Sequence, residues 1–266
     1  MVFFVLMDNP RIVDGPSPAE AYDAQSPEYI AFADSSYTWN YIEKPGFDMY
    51  IPDLYTPETA VLDIGSGTGR VVKHLIAKGL NTQNIVGLEP SLELVRHAQA
   101  QIPDVAFIQG AATELPFRSE TFDLLTANMV FHHLDNVSLA SALDRMYEVL
   151  KPGGTLFFVG IDPDHSAETL GNINKWVPQQ TPWGSEIPAF NHDMYEMLLD
   201  SMYFAGFDRV AGWQLGVSED GKVDPDKYAH YSGQPSRLAA RFSKVSASQK
   251  ANRLKHAGEM IPSWSD

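Results

Sequence analysis

Val61-Leu62-Asp63-Ile64-Gly65-Ser66-Gly67-Thr68-Gly69-Arg70 is an apolar stretch that runs straight into three glycines spaced two apart. Ala60 to Ile64 is short and apolar, as a strand buried on both faces should be. Beyond the glycines, Val71, Val72, Leu75 and Ile76 fall on one face of a helix that ends near Gly79. Glycines at such a junction let the chain turn with positive φ and let a ligand lie against main-chain N–H groups. The helix N-terminus behind them adds donors and partial positive charge. A nucleotide-like ligand is therefore expected, with an ordinary glycine-rich turn as the rival reading. The spacing discriminates further. A dinucleotide fingerprint, G-x-G-x-x-G, would put a glycine at position 70, where this chain has Arg70. The stretch instead reads G-x-G-x-G, with Asp63 two positions before Gly65.

The whole chain narrows the partners. Its 266 residues, 44% of them hydrophobic, suit one large α/β domain without a second independent one. Nineteen Lys and Arg against 34 Asp and Glu give a net charge of −15, which repels phosphate backbones and anionic bilayers. No nucleic-acid or membrane partner is expected; a small molecule is. The absence of cysteine removes disulfides, thiolate nucleophiles and Cys-ligated zinc, and is compatible with a cytoplasmic location. Val2 to Met7 is apolar but lacks a basic flank and is shorter than a secretory core, so it reads as a packed segment or a start-site artefact. No run is long enough to span a bilayer.

Along the chain, residues 1–58 carry ten acidic and two basic residues, seven prolines and many aromatics. Prolines interrupt every possible strand, so broken helices forming a lid over the glycine loop are expected, with Trp39 a candidate wall of a substrate pocket. Asn84 to Glu89 reads as the second strand, with Glu89 at its carboxyl end, 24 residues after Gly65. In a doubly wound sheet that is the place for a carboxylate accepting both ribose hydroxyls of an adenosine. Ser91, after Pro90, can cap the next helix. Ala106 to Gln109 and Phe122 to Asn128 are the third and fourth strands. Asn136 or Ser138 caps the helix carrying Leu139, Leu143, Met146 and Leu150, which Lys151-Pro152-Gly153-Gly154 stops before a fifth strand, Thr155 to Ile161. The stretch 162–190 breaks into Pro, Gly, Trp and polar residues, too long for a mere connector. A helix closed by Gly206 and two strands, Asp208 to Leu215 and Leu238 to Val245, complete the sheet as an antiparallel pair. The tail from Ser246 reads as a solvated helix.

These pieces together resemble the class I, Rossmann-like methyltransferases that depend on S-adenosylmethionine (SAM). The glycine loop with Asp63 resembles their first motif, and Glu89-Pro90-Ser91 the second. Gly110-Ala111-Ala112-Thr113-Glu114-Leu115-Pro116-Phe117 is similar to the family's G-D-A-x-x-L-P-F. The run from Phe122-Asp123-Leu124 through His132-His133-Leu134 to Leu150-Lys151-Pro152-Gly153-Gly154-Thr155-Leu156 resembles the later motifs, as in the ubiquinone and menaquinone C-methyltransferases and natural-product O- and N-methyltransferases. Tyr22-Asp23-Ala24-Gln25-Ser26-Pro27-Glu28-Tyr29 looks like the family's Y-D-x-x-A-x-x-Y lid, with Ser26 where Ala is usual; two tyrosines packing on the core from one helix face are the alternative.

The resemblance implies an α/β doubly wound, mostly parallel seven-stranded sheet in the order 3-2-1-4-5-7-6, strand 7 antiparallel, with helices on both faces. It implies a single domain organised as an N-terminal lid (1–58), a SAM-binding core (59–161), a cap insertion and helix (162–206), C-terminal strands (207–245) and a tail (246–266). The cofactor would be SAM, with S-adenosylhomocysteine as product. Its binding set carries over to Tyr22, Tyr29, Asp63, Gly65, Ser66, Gly67, Thr68, Gly69, Glu89, Pro90, Ala111, Ala112, Asn128 and Met129. The family's Asp, which takes the adenine amino group, is missing at Ala111, so only the main-chain half of that recognition carries over, to Ala112. Trp176 and Trp183 would line the acceptor pocket with Trp39, or else pack the insertion against the lid.

Methyl transfer from a sulfonium mainly requires alignment and exclusion of water. An acceptor hydroxyl, phenol or protonated amine also needs a base, for which His132 and His133 are the candidates, each equally readable as a hydrogen-bonded structural imidazole. Asn128 and His132 are four apart, so a helical turn after strand four would bring both over the cofactor. No spacing of His and carboxylates suggests a metal site. The expected function is methylation of a small metabolite at O, N or C by a monomer or homodimer. A protein that binds SAM for another reaction, or as a structural or sensing ligand, is the alternative, and an NAD-dependent oxidoreductase is a third reading that the glycine spacing opposes.

Overall fold

In a computed structural model, the described residues are 16–161, 179–180, 186–187, 194–215 and 237–256. Strand β1, Val61–Ile64, is buried at all four positions because it is the middle of the sheet. Around it lie β2 (Ile85–Glu89), β3 (Ala106–Gln109), β4 (Phe122–Asn128) and β5 (Leu150–Ile161), all parallel to their neighbours. Next come β9 (Arg237–Lys244), antiparallel to β5, and β8 (Phe207–Leu215) on the outer edge, antiparallel to β9. The order is β3-β2-β1-β4-β5-β9-β8. Counting only these seven strands, that is the expected 3-2-1-4-5-7-6. A separate two-stranded ribbon, β6 (Gln179–Gln180) with β7 (Glu186–Ile187), lies in the stretch between β5 and β8 and approaches the N-terminal helices.

Helices cover both faces. Helix α3 (Lys44–Tyr50), α4 (Arg70–Ala77) and α5 (Leu92–Gln101) bury Phe47, Val71, Val72, Leu75 and Ala98 against Val61, Ile85, Leu124 and Phe157. On the other face, α6 (Asn136–Val149) and α7 (Met194–Ala205) bury Leu139, Leu143, Met146, Leu198 and Met202 against Leu62, Leu125, Leu156 and Phe158. Helix α8 (Ala247–Lys255) has no buried residue but docks through its cations: Lys250 Nζ lies 4.1 Å from the Tyr147 ring centroid and Arg253 Cζ lies 4.1 Å from that of Tyr203.

Two local expectations are corrected. The cap of α6 is Asp135, whose carboxylate accepts from the Ser138 N–H at 2.7 Å, rather than Asn136 or Ser138. A carboxylate there also meets the positive end of the helix. The segment Lys151–Gly154 does not stand between helix and strand: β5 begins at Leu150, with its register against β4 shifted between Phe122 and Leu124.

The described part of the N-terminal segment consists of broken helices: α1 (Pro18–Ala24), α2 (Ser26–Ala33), a π-helical turn over Trp39–Glu43, and α3. Ser17 and Glu20 form a capping box at the start of α1. Tyr22 and Tyr29 therefore stand on two successive helices, with the break at Gln25 before Ser26-Pro27, and not on one helix face. The segment is anchored unequally. Tyr37, Trp39, Ile42, Phe47 and Ile51 belong to the core on the α4 side, whereas α1 and α2 bury only Ala21, Ser26 and Ala33.

Candidate active site

In an open parallel sheet, ligands bind beyond the carboxyl ends of the strands where the strand order reverses, here between β1 and β4. Gly65, Gly67 and Gly69 leave β1 with φ of 66°, 53° and 79°, all left-handed. At Gly65 a Cβ would also come within 2.5 Å of Val130 Cγ2, so another residue there would force Val130 to move as well as strain the backbone. At Gly67 the nearest atom to an added Cβ would be the Tyr29 hydroxyl at 3.4 Å, so the loop's outer surface faces the N-terminal segment.

Glu89 ends β2 with 5% exposure. Its Oε2 accepts from the Gly67 N–H and its Oε1 from the Ser91 N–H, both at 2.9 Å. Each oxygen keeps a further lone pair, the requirement for accepting two hydroxyls. Burial pushes this carboxyl up to about 7, with the Ser91 and Gly67 N–H groups pulling it back. Asp63, 1% exposed in β1, accepts from the Thr126 hydroxyl at 2.6 Å through Oδ1. Burial likewise pushes Asp63 to about 7.

At the end of β4, Asn128 is followed by Met129 with φ 60°, a strained conformation for a non-glycine residue. Met129 N–H donates to the Val159 carbonyl at 2.7 Å. A 3₁₀ turn over Phe131–His133 follows, so the expected helical turn joining Asn128 to His132 is absent. Instead, Asn128 Nδ2 donates to Glu43 Oε2 at 2.9 Å. The two imidazoles lie 4.1 Å apart, His132 is buried, and His133 Nε2 is 3.4 Å from the Tyr22 hydroxyl. Burial alone draws the His133 imidazole down to about 4, so it is neutral at physiological pH. Tyr22 meets Tyr29 edge-on at 5.0 Å. Burial raises both phenols, which stay protonated.

The remaining candidates are placed as follows. Pro90, directly after Glu89, accepts through its carbonyl from Gln109 Nε2 of β3 at 3.2 Å. Ala111 is exposed and Ala112 buried in the turn after β3. Trp39 is buried with its ring under the Arg70 guanidinium, 5.2 Å from Cζ, and edge-on to Phe47 and His74. Trp176 and Trp183 lie outside the described residues. Three contributors were missed from the sequence: Glu43, Arg70 and Asp23. Asp23 Oδ1 accepts from the Ser91 hydroxyl at 2.5 Å and from the Glu93 N–H at 3.0 Å, pinning α1 to the N-terminus of α5. Arg70 had a visible signal in its place directly behind the glycines. Glu43 had none.

Residues 61–154 match the methyltransferase domain family. This stretch is a class I, SAM-dependent methyltransferase domain. An uncharacterized methyltransferase of Synechocystis is 31% identical over 106 residues, 40% of this chain and 49% of that protein. A demethylmenaquinone methyltransferase of Renibacterium salmoninarum is 35% identical over 166 residues, 60% of this chain and 66% of that protein. The chain thus spans about half the length of the curated relatives matched first. The crystal structure of a SAM-dependent methyltransferase of Thermotoga maritima superposes with a TM-score of 0.62 at 21% identity, covering 85% of this chain and 99% of the other, a likeness of fold.

The residues of the methyltransferase domain fit its cofactor. Asp63 Oδ2, Ser66 Oγ, Thr68 Oγ1 and Asn128 Oδ1 are buried without a hydrogen-bond partner among the described residues. Such groups are costly unless a ligand satisfies them. They cluster at the glycine loop and the ends of β1 and β4, with the buried Glu89 carboxylate at the end of β2. No group of His, Asp and Glu suited to a metal ion occurs among the described residues.

Proposed function

We propose that the chain methylates a small-molecule acceptor, with SAM held over the glycine loop. The observation that carries the reading is the pairing of Tyr22 with a neutral His133 at the carboxyl edge of the sheet, next to the cofactor-binding residues. Bound SAM supplies an electrophilic methyl on a sulfonium. Glu89 orients the ribose through its two oxygens, and the backbone N–H groups of the loop and of Ala112 fix the rest of the nucleoside. Asp63 and Asn128 accept from the ammonium of the amino-acid end. Tyr22 and Tyr29 cover that end from the lid and exclude water, which strengthens the alignment of donor and acceptor.

Because burial keeps His133 unprotonated, its Nε2 can accept a hydrogen bond from an acceptor hydroxyl or neutral amine, directly or through the Tyr22 hydroxyl, and take the proton as the incoming methyl makes that group acidic. His132, in ring contact with it, orients that imidazole. A small acceptor accords with the net charge of −15, which disfavours nucleic acid, and with the quinone precursor named for the Renibacterium relative. No helix among the described residues is long and apolar enough to cross a membrane.

Incubation with methyl-labelled SAM and fractionated metabolites tests the proposal. Label appearing in a small molecule in step with S-adenosylhomocysteine release is the expected result. SAM binding with substrate turnover but no S-adenosylhomocysteine would refute transfer and leave a SAM-binding protein of another chemistry.

A further inference from the structure

Glu43 is 1% exposed, and its Oε2 accepts from two groups far apart in sequence: Arg70 Nη2 at 3.3 Å and Asn128 Nδ2 at 2.9 Å. Arg70 is the first residue of α4, directly behind the glycine loop, and Asn128 is the last of β4. One carboxylate thus ties together the two sides of the switch point. Trp39, four residues earlier in the same π-helical turn, holds the guanidinium from below. A buried ion pair contributes little net stability once desolvation is counted, so its presence here calls for a role besides folding.

The orientation it imposes suggests one. Because Nδ2 of Asn128 is committed to Glu43, Oδ1 is the atom left without a partner among the described residues, as is Oδ2 of Asp63 on the neighbouring strand. Two buried acceptors are thereby left for a cationic donor, while Arg70, directly behind the glycine loop that faces the Tyr29 hydroxyl, offers a cation. Acceptors on one side and a guanidinium on the other match the ammonium and carboxylate of an α-amino acid.

We infer that Glu43 is a positioning residue for the amino-acid end of the cofactor, fixing Arg70 and Asn128 as one unit so that ammonium and carboxylate are read together. This rests on the SAM-binding reading above. Glu43 acts on the cofactor through Arg70 and Asn128.

The test compares two ligands by calorimetry: S-adenosylhomocysteine, and 5′-methylthioadenosine, which keeps the nucleoside and thioether but has no amino-acid end. Glu43→Gln should weaken S-adenosylhomocysteine at least about tenfold, the scale of a lost charge-assisted bond, and leave methylthioadenosine within about twofold. Glu43→Asp keeps the charge but cannot reach both partners, and should show the same selective loss if the Gln variant folds poorly. Proportional weakening of both ligands, or unchanged S-adenosylhomocysteine affinity, overturns the inference and leaves Glu43 a packing residue. A parent protein that binds neither ligand overturns the SAM reading itself.

Discussion

Asp63→Asn should make the free protein more stable and its cofactor binding weaker, and the stability gain should depend on pH in a calculable way. In the fold, burial lifts the Asp63 carboxyl from 3.8 to about 7, against one hydrogen bond from Thr126. At 1.36 kcal/mol per unit, that rise corresponds to about 4 kcal/mol. The sign follows from proton binding. Between pH 3.8 and about 7 the folded state holds a proton that the unfolded chain has released, so stability falls as pH rises. The contribution is complete below the unfolded value and gone above the folded one.

Asparagine cannot titrate and keeps an oxygen for the Thr126 hydroxyl. The stability of Asp63→Asn relative to the parent should therefore increase by about 3 kcal/mol between pH 5 and pH 8. Glu89 titrates in the same window with the same sign and raises the Asp63 carboxyl through its own charge, so the difference reports position 63 together with its coupling to Glu89. Urea unfolding followed by circular dichroism at unit steps of pH gives the curves. Parallel curves would refute the reasoning, because they would mean that Asp63 is ionised and satisfied in the free fold. Calorimetry on the same samples should show weaker SAM binding, since Oδ2, without a partner among the described residues, is the atom that the proposal offers to the ammonium. Stability and affinity moving in opposite directions is the signature of a strained ligand site.

Glu89→Ala should weaken SAM binding by roughly 2 to 4 kcal/mol, the range for two lost bonds to a carboxylate; unchanged affinity would place the ribose elsewhere. Ala111→Asp should tighten SAM by about 1 kcal/mol, since position 111 is exposed in the turn after β3 and has room for the carboxylate; weaker binding would mean the adenine lies away from that turn. In hydrogen exchange, amides of 18–33, held by polar contacts such as Asp23 to Ser91 and Lys73 to Asp34, should gain protection when S-adenosylhomocysteine is added. Those of 44–50, where Phe47 is fully buried, should be protected in both states; equal protection of both stretches without ligand would make the whole segment a fixed part of the core.

The glycine loop, Glu89 and the sheet order were legible because they depend on backbone conformation and on strand-length apolar runs, both written locally in the sequence. The cap of α6 was missed by one residue for a local reason: Asp135, Asn136 and Ser138 are all competent caps, and only the chain's entry angle chooses among them. Glu43 was illegible for the opposite reason. Its partners lie 27 and 85 residues away, and a lone glutamate amid aromatics and prolines reads as surface until the fold encloses it. Asp23 was half legible, since it sits inside the lid motif, but its contact with Ser91 spans 68 residues.

The histidines show how one backbone angle can redirect a reading that respects every spacing rule. Four residues from Asn128 to His132 would stack the two side chains if the chain turned helically. Met129, in the left-handed region at φ 60°, breaks that repeat. No residue type announces the break: methionine does not favour positive φ, and the conformation persists because the backbone there is bonded across to Val159 on β5. The consequence is a division of labour. Asn128 turns toward Glu43, while the 3₁₀ turn carries His133 to Tyr22. In the proposed reaction, cofactor recognition and proton handling would thus sit on either side of a single strained residue.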